Sequence, residues 1–302
     1  MATQEPTRVQ PYEKVVDFLI NEIETSKTLP WEHPWINKDC SRPINFRGSP
    51  YRGVNLMNLW FIQSIRGYKQ NVWLTFNQCR ELKGTVKKGE HGVPVVFWKI
   101  LVKKGTKMVE KDEDEDGDET KIPFMRAYTV FNIEQCDLPA EVLKKYTIEE
   151  KEFVPIEEAA RIIRDMKNKP QIFEDQISQA YYKRSDDSVH VPAGKYFKNA
   201  AFYYSTMFHE LIHSTGHDTR LNRDSIAMVD GLDQVTYSEE ELVAEFGSVF
   251  LCSLARIEKE PTKDHVAYLQ NWLTYIKDHK KALIFAAQRA QKAVDYIVPP
   301  VQ

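Results

Sequence analysis

Cysteine is scarce in this 302-residue chain: Cys40, Cys79, Cys136 and Cys252 lie far apart, and no C-x-x-C pair occurs. That excludes a disulfide scaffold and a zinc ribbon and suits a reducing compartment. Long apolar runs are missing too, and a mean hydropathy of -0.50 excludes a helical membrane span. The opening residues, MATQEPTRVQPYEK, lack the basic-then-apolar pattern of an export signal, so a cytoplasmic protein is expected. Internal repeats are absent, and the net charge is only -3. What remains is a globular composition, 42% hydrophobic and 28% charged, at a length that suits two domains of ordinary size.

The small net charge hides a segregation. Residues 51–109 hold 11 Lys and Arg against 2 acids, residues 110–119 hold 8 acids against 1 Lys, and residues 136–302 are mildly acidic. Such asymmetry points to a polyanion-binding part joined to something else, although a solvated lysine-rich surface gives the same count. Five of the six tryptophans fall in the first 98 residues. Lysines 83, 87, 88, 99, 103 and 104 are candidates for phosphate contacts. Trp31, Trp35, Tyr51, Trp73 and Trp98 are candidates for base stacking, with at least half of these aromatics expected in the core.

Periodicity predicts helices over 11–25, 54–67 (closed by Gly67) and 73–82, then a strand over 94–102 paired with one over 125–133. The acidic run between those strands reads as a flexible hairpin tip; it lacks the glycine and glutamate spacing of a calcium-binding loop. A connector with one short helix follows over 137–154. An amphipathic helix over 154–170 and a short strand over 186–192 come next, then helices over 199–217, 238–257, 262–278 and 280–297. The expected class is α+β. A mixed N-terminal domain covers 1–150 and a mostly helical domain covers 151–302.

The segment His209-Glu210-Leu211-Ile212-His213 reads HExxH. Residues i and i+4 project from one helix face, so two imidazoles can grip one zinc ion, with Glu210 beside them as a general base toward water. The motif fixes only three residues, and surface histidines are the plain alternative. The apolar flanks Met207, Phe208, Leu211 and Ile212 favour a buried helix whose polar side has a task. A metzincin would place a histidine where Thr219 stands. His217 is then either a substrate-side histidine or a charge at the helix end. The third ligand is expected on the next acidic helix. Glu241 is preferred and Glu245 is the second choice, since Glu241-Leu-Val-Ala-Glu245 resembles the E-x-x-x-D helix of thermolysin-like gluzincins. There the second acid hydrogen-bonds a ligand histidine, the role expected of Glu245. A capping box made by Ser238 and Glu241 competes for Glu241. The strand over 186–192 is expected to supply a substrate edge, with His190 structural.

These residues together resemble the ArdC family of antirestriction proteins, which share their N-terminal part with conjugative TraC-type primases. The N-terminal likeness runs through Pro34-Trp35, Pro43-Ile44-Asn45, Tyr51-Arg52-Gly53-Val54-Asn55, Trp73-Leu74-Thr75-Phe76-Asn77-Gln78, Val86-Lys87-Lys88-Gly89-Glu90 and Tyr128-Thr129-Val130-Phe131-Asn132. The C-terminal likeness runs through Met207 to His217, Arg220-Leu221-Asn222-Arg223 and Glu240-Glu241-Leu242-Val243-Ala244-Glu245. The resemblance implies an N-terminal domain that binds single-stranded DNA and a zincin-like metallopeptidase domain, carried by a plasmid or other mobile element to protect incoming DNA from restriction. Trp35, Tyr51, Arg52, Trp73, Lys87, Lys88 and Trp98 are the expected DNA contacts. Zn2+ or another divalent cation such as Mn2+ is expected at one site, in a monomer without membrane association. Two alternatives stand beside this reading. One is a metalloprotease recruited to nucleic acid to cleave a DNA-bound protein, and the other is a DNA-binding protein whose metal only staples the fold.

Overall fold

The computed structural model describes residues 10–30, 42–104, 107–111, 121–146, 155–176, 179–223, 234–257 and 265–300. Helix α1 (Pro11–Ser26) buries Val15, Val16, Leu19, Ile20 and Ile23 along one stripe, and the Glu13 carboxylate accepts the Gln10 backbone N–H at 2.7 Å at its start. After the short strand β1 (Ile44–Asn45), helix α2 (Gly53–Arg66) ends at Gly67, whose φ of +69° is left-handed and free of a Cβ penalty.

The helix expected over 73–82 begins three residues late. Val72–Thr75 is strand β2, and helix α3 covers Phe76–Glu81. Thr75 explains the break. Its hydroxyl accepts the Gln78 N–H at 3.3 Å while the Gln78 side chain accepts the Thr75 N–H at 2.8 Å, a reciprocal cap that fixes the helix start. Strands β3 (Thr85–Val86), β4 (Val93–Lys104), β5 (Lys107–Lys111), β6 (Lys121–Asn132) and β7 (Cys136–Asp137) follow. A five-stranded sheet has the order β1-β2-β6-β4-β5, with β1 and β2 parallel and the rest antiparallel.

Strands β4 and β6 pair as expected, from Val93 opposite Val130 to Val102 opposite Lys121. The acidic segment between them is not one hairpin tip. Its first two residues, 110 and 111, belong to β5, which covers the outer edge of β4. Residues 112–120 lie outside the described residues. Farther along β4, α2 covers the strand: Asn55 exchanges hydrogen bonds of 2.6 and 2.9 Å with the backbone of Val96, and Asn58 donates to the Pro94 carbonyl at 3.0 Å. A strand edge capped in this way cannot template further pairing.

The N-terminal part ends with α4 (Ala140–Lys145), and the second half continues with α5 (Pro155–Asp165), β8 (Gln171–Gln176), β9 (Tyr181–Lys183) and β10 (Ser188–Pro192). Helices α6 (Ala200–Ser214), α7 (Gln234–Leu254), α8 (His265–Asp278) and α9 (Lys280–Ile297) complete it. Strands β8, β10 and β9 form a small sheet in that order. The chain is thus α+β, with a mixed N-terminal part and a mostly helical C-terminal part. No helix among the described residues is long and apolar enough to cross a membrane.

One hydrophobic core runs from Val15 to Ile297 and joins the two parts. The rings of Trp60 in α2 and Phe250 in α7 lie 6.0 Å apart. Polar links reinforce the junction: Lys277 to Glu24 at 2.5 Å, Lys280 to Asp17 at 2.5 Å, and Arg52 to Asp295. The boundary expected near 150 falls outside the described residues. A smaller cluster of Val72, Leu74, Cys79, Ile133 and Cys136 sits under α3, and Cys79, Cys136 and Cys252 are all buried free thiols.

Helices α6 and α7 meet at Gly247. A Cβ there would lie 2.6 Å from the Ile212 side chain, one residue before His213. Gly247→Ala should therefore destabilise the protein by about 1–3 kcal/mol, the usual cost of overpacking. Adding Ile212→Val should recover a small part of the loss in thermal denaturation, because it removes the Cδ1 methyl, the nearest of three Ile212 atoms in the way.

Candidate metal centre

Asn199 starts α6, its side-chain oxygen accepting the Phe202 N–H at 2.8 Å. Met207, Phe208, Leu211 and Ile212 turn into the core, as their apolar character requires. His209 and His213 then share the remaining side, half-buried, and Glu210 is 7% exposed. The next helix brings Glu241 to the same point. Because α7 begins at Gln234, Ser238 and Glu241 lie inside the helix and make no capping box at its start.

The two imidazole Nε2 atoms are 3.2 Å apart. Glu241 approaches His209 Nε2 at 3.6 Å and His213 Nε2 at 3.4 Å. A tetrahedral zinc site with bonds of about 2.0–2.1 Å separates its donors by about 3.3–3.4 Å. The three side chains match that spacing. Two imidazole nitrogens and a carboxylate converging on one point can hold a divalent cation between them. Among the described residues this is the one group of three or more His, Cys, Asp or Glu side chains arranged to hold a metal ion.

The other nitrogen of His213 has its own partner. Nδ1 lies 3.4 Å from Glu240, which is 3% exposed. Arg223, itself 8% exposed, holds Glu240 with two contacts of 2.6 and 3.2 Å, and it also donates to the Thr215 hydroxyl at 2.6 Å and the Ile212 carbonyl at 2.9 Å. Burial opposes ionisation of Glu240, but the His213 hydrogen bond and the Arg223 charge outweigh it and hold the carboxyl down at about 2. Glu241 is likewise held well below the usual carboxylate range, against its burial, by His209 and His213. His213 is raised despite its own burial, because Glu240 and Glu241 accept from it. With a proton on Nδ1 facing Glu240, the Nε2 lone pair is left for a metal.

A second arginine finishes the helix. Arg220 donates to the Ser214 carbonyl at 2.8 Å and pairs with Asp187 in the turn before β10. Two cations thus neutralise the carbonyl end of α6, where the helix dipole favours them. Neither arginine has a periodic signature. A useful signal was the pair of arginines directly after an HExxH helix, together with acids on both neighbouring elements.

The other expected residues are scattered. Glu245 is half-buried one turn beyond Glu241. His217 makes local contacts, with Nδ1 2.8 Å from the Thr219 hydroxyl. His190 stacks between Phe173 and Tyr181, its Nδ1 2.9 Å from Asp175 and its Nε2 2.9 Å from Ser188. This Ser–His–Asp chain is no nucleophile system, because Ser188 is 1% exposed in the middle strand. The expected substrate edge is corrected for the same reason: residues 188–190 of β10 are paired on both sides, so the edges belong to β8 and β9.

Two expected DNA contacts are also corrected. Trp73 is fully buried, with its indole N–H on Asn71 at 2.7 Å, and Tyr51 is 7% exposed, its phenol pushed up to about 12 by burial. Neither offers a ring face to a base. Arg52 is spent partly on Asp295, whereas Lys87 and Lys88 are exposed. Trp31 and Trp35 lie outside the described residues, as does the side chain of Trp98.

Comparison with known proteins agrees in both halves. Residues 9–131 match the family model of the N-terminal domain of anti-restriction factor ArdC, and residues 157–289 match that of a zincin-like metallopeptidase. The chain is 33% identical to uncharacterized protein y4eC of Sinorhizobium fredii over 97% of its own length and 92% of that protein's. It is 30% identical to DNA primase TraC of Escherichia coli over 95% of its own length, but it spans only 27% of the primase. Crystal structures of the antirestriction ArdC protein from R388 plasmid match at a TM-score of 0.69 in the metal-free form (32% identity, 95% of this chain and 96% of that one). The Mn(II)-bound form gives 0.70 (33% identity, 96% and 97%).

The buried pair can be separated from the metal by experiment. Arg223→Met strands the Glu240 charge and should cost about 3–5 kcal/mol, and adding Glu240→Leu should restore most of that. The double variant should still bind Mn2+ about 10–100-fold more weakly in calorimetric titration, since His213 loses its orienting partner. In metal-stripped protein the depressed Glu240 contributes stability that is complete above 4.5, its ordinary value, and lost as the pH falls toward about 2. The double variant should show a flatter stability curve across that window.

Proposed function

This chain belongs to the ArdC family of antirestriction proteins, and on that premise we propose that it protects incoming plasmid DNA by binding it as single strands, while a zinc or manganese ion at His209, His213 and Glu241 equips it for peptide hydrolysis. The observation that carries the second half is the convergence of the two Nε2 atoms and Glu241 on one point beside the buried Glu210. The zincin-like domain and the Mn(II)-bound relative support a divalent ion there. The first half rests on the likeness to antirestriction and primase proteins and on the basic N-terminal segment.

In this reading each residue has one task. Such an ion supplies Lewis acidity and brings the pKa of water close to neutrality. Glu210 accepts the proton of the attacking water and returns it to the departing amine, the role of a general base that becomes an acid. Glu240 keeps His213 turned toward the ion. A purely structural site has no use for Glu210, which argues against a metal that only staples the fold.

The second reading, cleavage of a DNA-bound protein, uses the same residues and differs in what protection requires. Glu210→Gln keeps shape and charge-independent packing but removes the base, so any peptidase activity should fall about 10²–10⁴-fold. Single-stranded DNA binding and protection of a plasmid entering a restricting recipient should persist. Replacing Lys87 and Lys88 together should have the opposite effect. A metal-loaded Glu210→Gln protein that binds DNA normally yet fails to protect would make proteolysis the better account.

A further inference from the structure

The N-terminal half carries two neighbouring cavities, of about 430 and about 350 Å³, that share one lining residue, Tyr146. Their volumes fall at the lower end of the range of small-molecule sites, about 300–1,000 Å³. Tyr146 stands at the end of α4, where its N–H bonds the Leu143 carbonyl at 3.0 Å. Its hydroxyl donates to the Phe46 carbonyl in the turn after β1, so both ends of the residue are tied down. The polar tip is thereby used, and the half-buried side chain, packed in part against the cluster of Val72, Leu74, Cys79, Ile133 and Cys136, lines both cavities.

Each cavity repeats the same three chemical elements. The larger is lined by Arg47, Lys145 and Glu141, all three exposed; the Arg47 guanidinium lies 5.2 Å from the Phe46 ring centre and the Lys145 ammonium 5.8 Å from that of Tyr146. The smaller is bordered by Lys87 and contains Glu134 and the Gln70 side chain. Arg47, Lys145 and Lys87 are exposed and can reach a ligand in solvent. Cations, an aromatic wall and a carboxylate or amide in one lining match the parts of a nucleotide: phosphate, base face and exocyclic amine. A simple anion would have no use for the carboxylates. A duplex would keep its base faces stacked away from the ring.

We propose that Tyr146 is a wedge between two neighbouring unpaired bases of single-stranded DNA, with Arg47 and Lys145 on the phosphate of one nucleotide and Lys87 on that of the other. The inference rests on the proposed DNA-binding function and locates it. It moves the stacking face from Tyr51 and Trp73, which are core, to the rim around α4.

The test is fluorescence anisotropy of a labelled oligodeoxycytidine, whose bases carry the exocyclic amine, with the full-length protein across a salt series. Tyr146→Ala should weaken binding about 5–150-fold, the equivalent of 1–3 kcal/mol per stacked base. Tyr146→Phe should stay within about twofold of wild type, because the ring and not the hydroxyl touches the base. Arg47→Ala with Lys145→Ala, both at exposed positions, should lower the slope of log affinity against log salt by about 0.7 for each phosphate no longer neutralised. Tyr146→Ala should leave that slope unchanged, which a general loss of folding would not do. If Tyr146→Ala does not fold, Tyr146→Leu keeps the bulk without the π face and is expected to show the same loss. Wild-type binding with unaltered affinity in the ring variants and an unaltered slope in the cation variant overturns the wedge and leaves the DNA-binding function standing. Absence of any binding by the wild type overturns the function and the wedge together.

Discussion

A charge inside a protein must be answered by another charge nearby, and the Arg223–Glu240 pair meets that demand at the point where three pieces of chain come together. Arg223 sits after the turn that leaves α6, and Glu240 sits within α7. The arginine also takes the Thr215 hydroxyl and the Ile212 carbonyl. The end of one helix, the turn beyond it and the body of the next are therefore fixed by a single guanidinium. Losing either partner leaves a desolvated charge, which costs far more than the pair itself contributes. The geometry of the proposed metal ligands follows, since His213 lies directly after Ile212 and Glu241 directly after Glu240. A buried ion pair is weak evidence for stability in general. Here it is better understood as a device that sets position.

The same principle of shared constraint applies at larger scale. Helix α9, at the C-terminal end of the described chain, packs against α7 of the C-terminal part and also against α1 and α2 of the N-terminal part. Gln291 in α9 accepts from both Arg42 and the backbone N–H of Gly53. A chain built from two matching family regions thus closes into one core, so strain introduced at the junction reaches both sites. Function can still be divided between the regions, because the residues proposed to touch DNA and those proposed to hold metal are drawn from different elements.

Much of this was legible from periodicity. Strong apolar stripes and a glycine stop located α1, α2, α6 and the last helices, and i, i+4 spacing brought His209 and His213 together without any tertiary information. Elements held by side-chain chemistry were harder to read. Strand β2 looks helical until Thr75 is recognised as a cap. Strands β8 and β9 are short and rich in polar residues, so pairing with β10, and not their own composition, makes them strands. Trp73 and Tyr51 show the limit for function: a large aromatic beside basic residues reads equally well as a stacking platform or as core, and only burial decides. Glu240 stood in plain view in a run of three glutamates. Assigning it to His213 required knowing which of the three faces inward.

Charge counting has a similar limit, which bears on where a polyanion can dock. The basic segment over 51–109 loses part of its apparent charge to the fold itself. Arg52 pairs with Asp295, and Arg66 pairs with Glu22 while donating to the His91 carbonyl. Lys87 reaches the Glu134 carbonyl at 2.9 Å, a neutral acceptor that leaves its charge in place. The cations left at the surface near the Tyr146 cavities therefore come from different stretches of sequence: Arg47 before the segment, Lys87 within it, and Lys145 well after it. No window of sequence contains all three. The fold assembles them by bringing the turn after β1, the turn after β3 and the end of α4 around one ring. A basic run in sequence gives the sign of the partner, while the residues that can meet it are chosen by which of those cations the fold leaves unpaired with an acid.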